Sequence, residues 1–208
     1  MAEYPEAMQL VLDDAELHAP IVLHPPAMDD DEYFAFCQRY PDFRIERTAR
    51  GEIVIMPPTG VETAYRNNDL ARQLGNWAKA DKRGVALDSN AEFILPNGAA
   101  LSPDASWVLK SRLDRFTKKQ RQKLLPISPD FVVELTSSSD RLKQVKAKMR
   151  EWIENGVQLG WLLDADRKTA YIYRPAREPE ELVGPGELNG EGPVAGFVLH
   201  LKDIWAGL

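Results

Sequence analysis

The run Phe131-Val132-Val133-Glu134-Leu135 constrains this chain more than any other stretch, because it sets one carboxylate inside an otherwise apolar segment of strand length. Such a run suits a buried strand. A helical pattern follows at once. From Ser137 to Asn155 the residues Leu142, Val145, Met149, Trp152 and Ile153 form one apolar stripe, with serine and aspartate at the start and Asn155-Gly156 as the stop. A helix that follows the strand so closely must lay its stripe on the sheet, and this already ties Glu134 to one flank of that helix.

The remaining pattern extends the same architecture. Asp29 to Tyr40 predicts a short helix with acids in its first turn, where the helix dipole favours them. Phe43–Ala49 and Glu52–Met56 alternate around Arg50-Gly51 as a hairpin. Thr59-Gly60-Val61-Glu62 has the spacing of a capping box and opens a helix of about five turns through Tyr65, Leu70, Leu74, Trp77 and Ala78. Strands are expected at 85–88, 92–95 and 106–109, a solvated basic helix at 111–125, a strand pair at 160–164 and 169–173, a loop or hairpin excursion from Pro175 to Pro193, and a last strand at 194–201. Residues 1–27 read as an acidic arm, with an edge strand at Pro20-Ile21-Val22-Leu23, and 28–208 as a single domain. The order of elements points to an α/β (α+β) fold with a mixed central sheet flanked by helices.

Composition closes off several classes. At 208 residues the chain is one domain in size, and it has no run of about 20 apolar residues to span a bilayer. One cysteine, Cys37, excludes a disulfide framework and a cysteine-cluster zinc site, and with no secretory signal visible the cytoplasm is the expected compartment. His18, His24 and His200 lack metal-ligand spacing, so a metal would be held by oxygen. The net charge of −6 hides nine acids before the first cation, Arg39, which leaves the rest of the chain net basic. Twelve of the 26 cations fall in two windows, 110–123 and 141–150, opposed there only by Asp114. Such clusters meet phosphates or simply form solvated faces.

Two acids break the local pattern. Asp104 follows Pro103 just before an apolar strand, and Glu134 lies within one. A lone buried carboxylate costs several kcal/mol, roughly, unless something offsets it. On neighbouring strands the two would converge on one divalent cation with its waters; otherwise Glu134 pairs with a buried arginine or faces solvent. Lys146 and Lys148 leave opposite flanks of the helix stripe, and periodicity does not say which one meets the carboxylates. Glu62 either closes its capping box or acts as a metal ligand or water-orienting base.

The motifs Met56-Pro57-Pro58-Thr59-Gly60-Val61-Glu62-Thr63 with Arg66-Asn67, Pro96-Asn97-Gly98 leading to Ser102-Pro103-Asp104-Ala105-Ser106-Trp107, Pro129-Asp130-Phe131-Val132-Val133-Glu134-Leu135, and Lys148 with Trp152, Gly156-Val157 and Gly160-Trp161 resemble the Uma-type restriction endonuclease family of the PD-(D/E)XK nuclease superfamily. The resemblance covers roughly residues 28–205. It implies a restriction-endonuclease-like core and a Mg²⁺-dependent (or Mn²⁺-dependent) endonuclease acting on DNA, with Asp104, Glu134, Lys148 and Glu62 as catalytic residues. Of these, Asp104, Glu134 and Glu62 would be metal ligands. The superfamily's lysine lies two residues after the glutamate, where this chain has Thr136, and Lys148 takes its place. The basic segment from Lys110 to Lys123 is expected to approach the nucleic-acid backbone. A homodimer is expected, since two-strand cutters often work as twofold pairs. The competing reading is a nuclease fold without turnover that serves as a nucleic-acid-binding or protein-interaction module.

Overall fold

The computed structural model describes residues 20–137 and 141–208. Its centre is a six-stranded mixed sheet in the order β11-β10-β9-β8-β7-β4. These strands are β4 (Gly84–Asp88), β7 (Ala105–Leu109), β8 (Phe131–Leu135), β9 (Leu159–Asp164), β10 (Thr169–Tyr173) and β11 (Glu180–Val183). β8 and β9 are parallel and every other pair in the sheet is antiparallel. A parallel pair needs a crossover, and helix α4 (Leu142–Glu154) supplies it. The other long helix, α2 (Val61–Asp81), covers the opposite face.

Strand alternation decides what meets each helix. Phe131, Val133 and Leu135 pack with Leu70, Leu74 and Ala78 of α2 and with Trp107, Trp161 and Phe197. Val132 points the other way, into a cluster with Val108, Leu162 and the α4 residues Met149 and Trp152. By the same two-residue period, Glu134 shares the α4 face with Val132, and Asp104 shares it with Val108. The partly buried Leu142, Val145 and Ile153 complete the α4 stripe.

A second, five-stranded sheet runs β1-β3-β2-β6-β5, made of β1 (Ile21–Leu23), β2 (Arg44–Arg47), β3 (Ile53–Met56), β5 (Phe93–Ile94) and β6 (Ala100–Leu101). Helix α1 (Asp30–Arg39) opens with a capping box between Asp29 and Glu32 and packs Tyr33 on Ile45, Ile53, Ile94 and Ala100. Phe93, Leu95, Ala99 and Leu101 enter the cluster beneath α4, so that cluster joins the two sheets. A short pair, β12 (Glu187–Asn189) and β13 (Val198–His200), and helix α5 (Lys202–Ala206) close the α2 face.

Several local expectations are corrected. The basic stretch 111–125 is not one helix: it holds a four-residue turn of helix, α3 (Lys110–Leu113), and a 3₁₀ turn at Gln120–Gln122. It has no apolar stripe to pay for helix formation, and two cations of this basic segment bind acids outside it. Arg112 binds Asp130 at 2.7 Å, and Lys123 reaches Asp31 at 2.7 Å. The capping box at Thr59 does not form either, because α2 starts one residue later than that box requires, with Gly60 as N-cap and no side-chain bond. The two-residue strand β6 was too short to be legible. The expected strand at 194–201 shrinks to β13, and the 175–193 excursion contains β11 and β12. The start of the α4 pattern at Ser138, Ser139 and Asp140 lies outside the described residues, as does the arm through residue 19. Among the described residues no helix is long and apolar enough to cross a membrane.

One glycine is fixed by close approach. A Cβ at Gly84 would lie 2.2 Å from the buried Trp107 ring and 2.5 Å from the Val108 carbonyl. Gly84→Ala is expected to cost about 1–3 kcal/mol by overpacking. A lower urea midpoint at unchanged slope is the readout.

Candidate active site

The register of β7 on β8 builds the site. Ala105 pairs with Val133, so Asp104, in the bend just before β7, lies across from Glu134. Both side chains are nearly buried, at 7% and 5% exposure. The Asp104 carboxylate accepts the Leu135 backbone N–H at 2.8 Å through Oδ2 and the Asn67 amide at 3.1 Å through Oδ1. Arg44 of β2 approaches the same Oδ1 at 3.8 Å.

Glu134 receives two donors on one oxygen. Lys148 Nζ stands 3.1 Å from Oε1, and Trp152 Nε1 donates to Oε1 at 2.9 Å. Burial pushes the Glu134 carboxyl up to about 7; Lys148 opposes that rise, while Asp104 and Glu46 add to it. Burial alone would lower Lys148, but the carboxylates of Glu134 and Glu46 outweigh it and hold the ammonium above its ordinary value. The lysine is therefore charged at any physiological pH.

Of the two candidate lysines, Lys148 is the one beside the carboxylates. Lys146 leaves the other flank of α4 and sits over the Tyr171 ring, 3.7 Å from its centroid. Glu62 is not gathered in. Its carboxylate binds Arg66 at 2.9 Å and accepts the Leu208 backbone N–H at 3.2 Å, so it neither caps its helix through Thr59 nor lines the cavity that holds Asp104 and Glu134. The basic segment likewise begins at the far end of β7 from Asp104, a strand of five residues or about 17 Å away.

The sequence does not single out Glu46, and it offers Ser102 and Asn67 only as motif residues without a role. Glu46 of β2, 5% exposed, accepts Lys148 Nζ at 2.9 Å and the Ser102 N–H at 3.0 Å. The Ser102 carbonyl accepts both Lys148 Nζ at 2.8 Å and Arg44 at 3.1 Å. Asn67 holds Asp104 with its amide nitrogen, while its buried Oδ1 has no hydrogen-bond partner. The run Arg44-Ile45-Glu46-Arg47 taken alone reads as a half-solvated strand, so it gives no signal that Glu46 is buried. Asp104, Glu134, Lys148, Arg44 and Asn67 line one cavity of about 260 Å³, walled by Pro57, Pro58 and Thr59 ahead of α2.

Comparison with known proteins agrees with this architecture. A crystal structure described as a putative nuclease belonging to DUF820 from Anabaena variabilis superimposes with a TM-score of 0.69 at 22% identity, covering 86% of this chain and 98% of that one, which establishes likeness of fold. No curated protein matches the sequence. The Uma2 family, described as "Putative restriction endonuclease", matches residues 30–202. With the match spanning most of the chain, the chain belongs to the Uma2 family.

Proposed function

We propose that this chain hydrolyses DNA phosphodiester bonds with Mg²⁺, for which Mn²⁺ would substitute. The observation that carries the reading is the meeting of Asp104, Glu134 and Lys148 at one cavity that also contains Arg44. The donor set fits a hard cation. Among the described residues no three His, Cys, Asp or Glu side chains cluster to hold a metal, which argues against zinc, whereas Mg²⁺ needs only one or two carboxylates and retains its waters. Asp104 and Glu134 would hold it, with Glu62 engaged elsewhere. When bound, such a cation supplies polarisation of a phosphoryl oxygen and a more acidic water.

The protein's own groups do the rest. The Leu135 N–H and Asn67 fix the Asp104 carboxylate, and Trp152 and Lys148 occupy one oxygen of Glu134, so that its orientation is set before substrate arrives. Lys148, buried and charged, offsets negative charge growing on the phosphoryl oxygens. The Arg44 guanidinium, part-exposed beside Asp104, is suited to grip a phosphate of the same strand. The unpartnered Asn67 Oδ1 offers an acceptor for a water in the cavity.

Incubating plasmid and single-stranded DNA with the protein in Mg²⁺ or Mn²⁺, against EDTA, tests the reading. Nicked or linear product that depends on the metal is expected. Intact DNA under every condition overturns it in favour of a nuclease fold that binds without turnover.

A further inference from the structure

Lys148 has two acidic neighbours, and only one of them belongs to the cluster proposed to hold metal. Glu134 comes from the central sheet, while Glu46 comes from β2 of the other sheet. Ile45 on β2 packs toward α1, so alternation turns Glu46 to the opposite face, where α4 lies. There it takes Lys148 Nζ at 2.9 Å, slightly closer than Glu134 at 3.1 Å. The Ser102 carbonyl adds a third contact at 2.8 Å.

We propose that Glu46 is the positioning residue that keeps Lys148 at the reaction centre once Glu134 is committed to a cation. The inference rests on the reading above. A divalent ion on Glu134 repels an adjacent ammonium and withdraws the negative charge that had attracted it. Without a second anion, a lysine on the edge of a helix stripe swings out to water, as such side chains commonly do. Glu46 removes that option: its carboxylate is buried, it is held in turn by the Ser102 N–H, and Ser102 is two residues from Asp104. One side chain thus ties the lysine to the turn that carries the aspartate.

Competitive acetylation of the lysines, read by mass spectrometry, tests this without relying on cleavage. In the full-length wild type Lys148 should remain protected with and without Mg²⁺. In Glu46→Gln, which retains an acceptor for Ser102, Lys148 should label about tenfold faster when Mg²⁺ is present, with the other lysines unchanged as internal standards. Cleavage provides the second readout: Glu46→Gln should lower kcat about tenfold at unchanged KM for DNA, and adding it to Lys148→Met should cost nothing more, because both act through the same ammonium. Equal Lys148 labelling in wild type and Glu46→Gln under both conditions overturns the proposal, as does full additivity of the two substitutions. A wild type that never cleaves DNA would defeat the nuclease reading, yet the labelling would still report whether Glu46 anchors Lys148.

Discussion

Lys148→Met is expected to reduce Mg²⁺-dependent cleavage by about 10²–10³-fold, the usual scale for deleting one preorganised charge that stabilises a transition state. The methionine retains most of the stem, so packing beside Met149 and Trp152 is kept while the ammonium is lost. The substitution also leaves Glu134 and Glu46 without the ammonium between them, and the fold should tolerate this by protonating Glu134, whose carboxyl is already pushed up by burial. The control is Lys146→Met. That ammonium lies on the Tyr171 ring on the other flank of α4, so its loss should leave kcat unchanged and at most weaken DNA binding in a salt-dependent way. Rates for both variants at low and moderate salt decide the matter: equal losses, or full activity in Lys148→Met, would show that the wrong lysine has been assigned.

The second large effect concerns stability. Glu92, half-buried just before β5, accepts the hydroxyl of the fully buried Tyr33 at 2.6 Å. Burial pushes its carboxyl from the ordinary 4.5 up to about 7; Tyr33 opposes the rise, Glu46 adds to it, and Arg47 and Lys148 oppose it. The unfolded chain therefore releases this proton near 4.5 and the folded chain near 7. Between those values the folded state holds more protons, so stability falls as pH rises through the window. At about 1.4 kcal/mol per tenfold in acidity, the loss amounts to as much as roughly 3 kcal/mol. Glu92→Gln keeps an oxygen for Tyr33 and carries no charge. Its urea midpoint should match the wild type below pH 4.5 and exceed it above pH 7, and parallel curves across that range would show that Glu92 is not the group responsible.

How much of this was legible beforehand depended on whether a signal was local. Phe131–Leu135 and the α4 stripe were readable because each carries its own periodicity, and the β8–α4–β9 unit follows from them. Asp104 and Glu134 were readable as chemistry because an acid beside apolar strand residues demands a reason. Glu46 was not, since its burial comes from a second sheet docking over it, and Arg44-Ile45-Glu46-Arg47 taken alone looks half-solvated. Glu62 misled because Thr59-x-x-Glu62 has the right spacing for a cap, yet the helix starts at Val61 and Arg66 lies within reach on the next turn. The basic stretch misled because its counterions, Asp31 and Asp130, are distant in sequence or just outside the window. Lys146 and Lys148 were equivalent by periodicity, and only the tertiary position of Tyr171 and Glu46 separates them.

The origin of those contacts also orders events in time. The Leu135–Asp104 bond closes 31 residues, and the strands and crossover helix of β7–β9 can assemble from one contiguous stretch of chain. The Lys148–Glu46 bond closes 102, and the entropy of closing a loop grows with its length. The Trp152–Glu134 bond closes only 18. The bonds that align Asp104 and Glu134 should accordingly form while the lysine still lacks its anchor, and a chain with its two carboxylates in register is not yet a chain with a finished reaction centre.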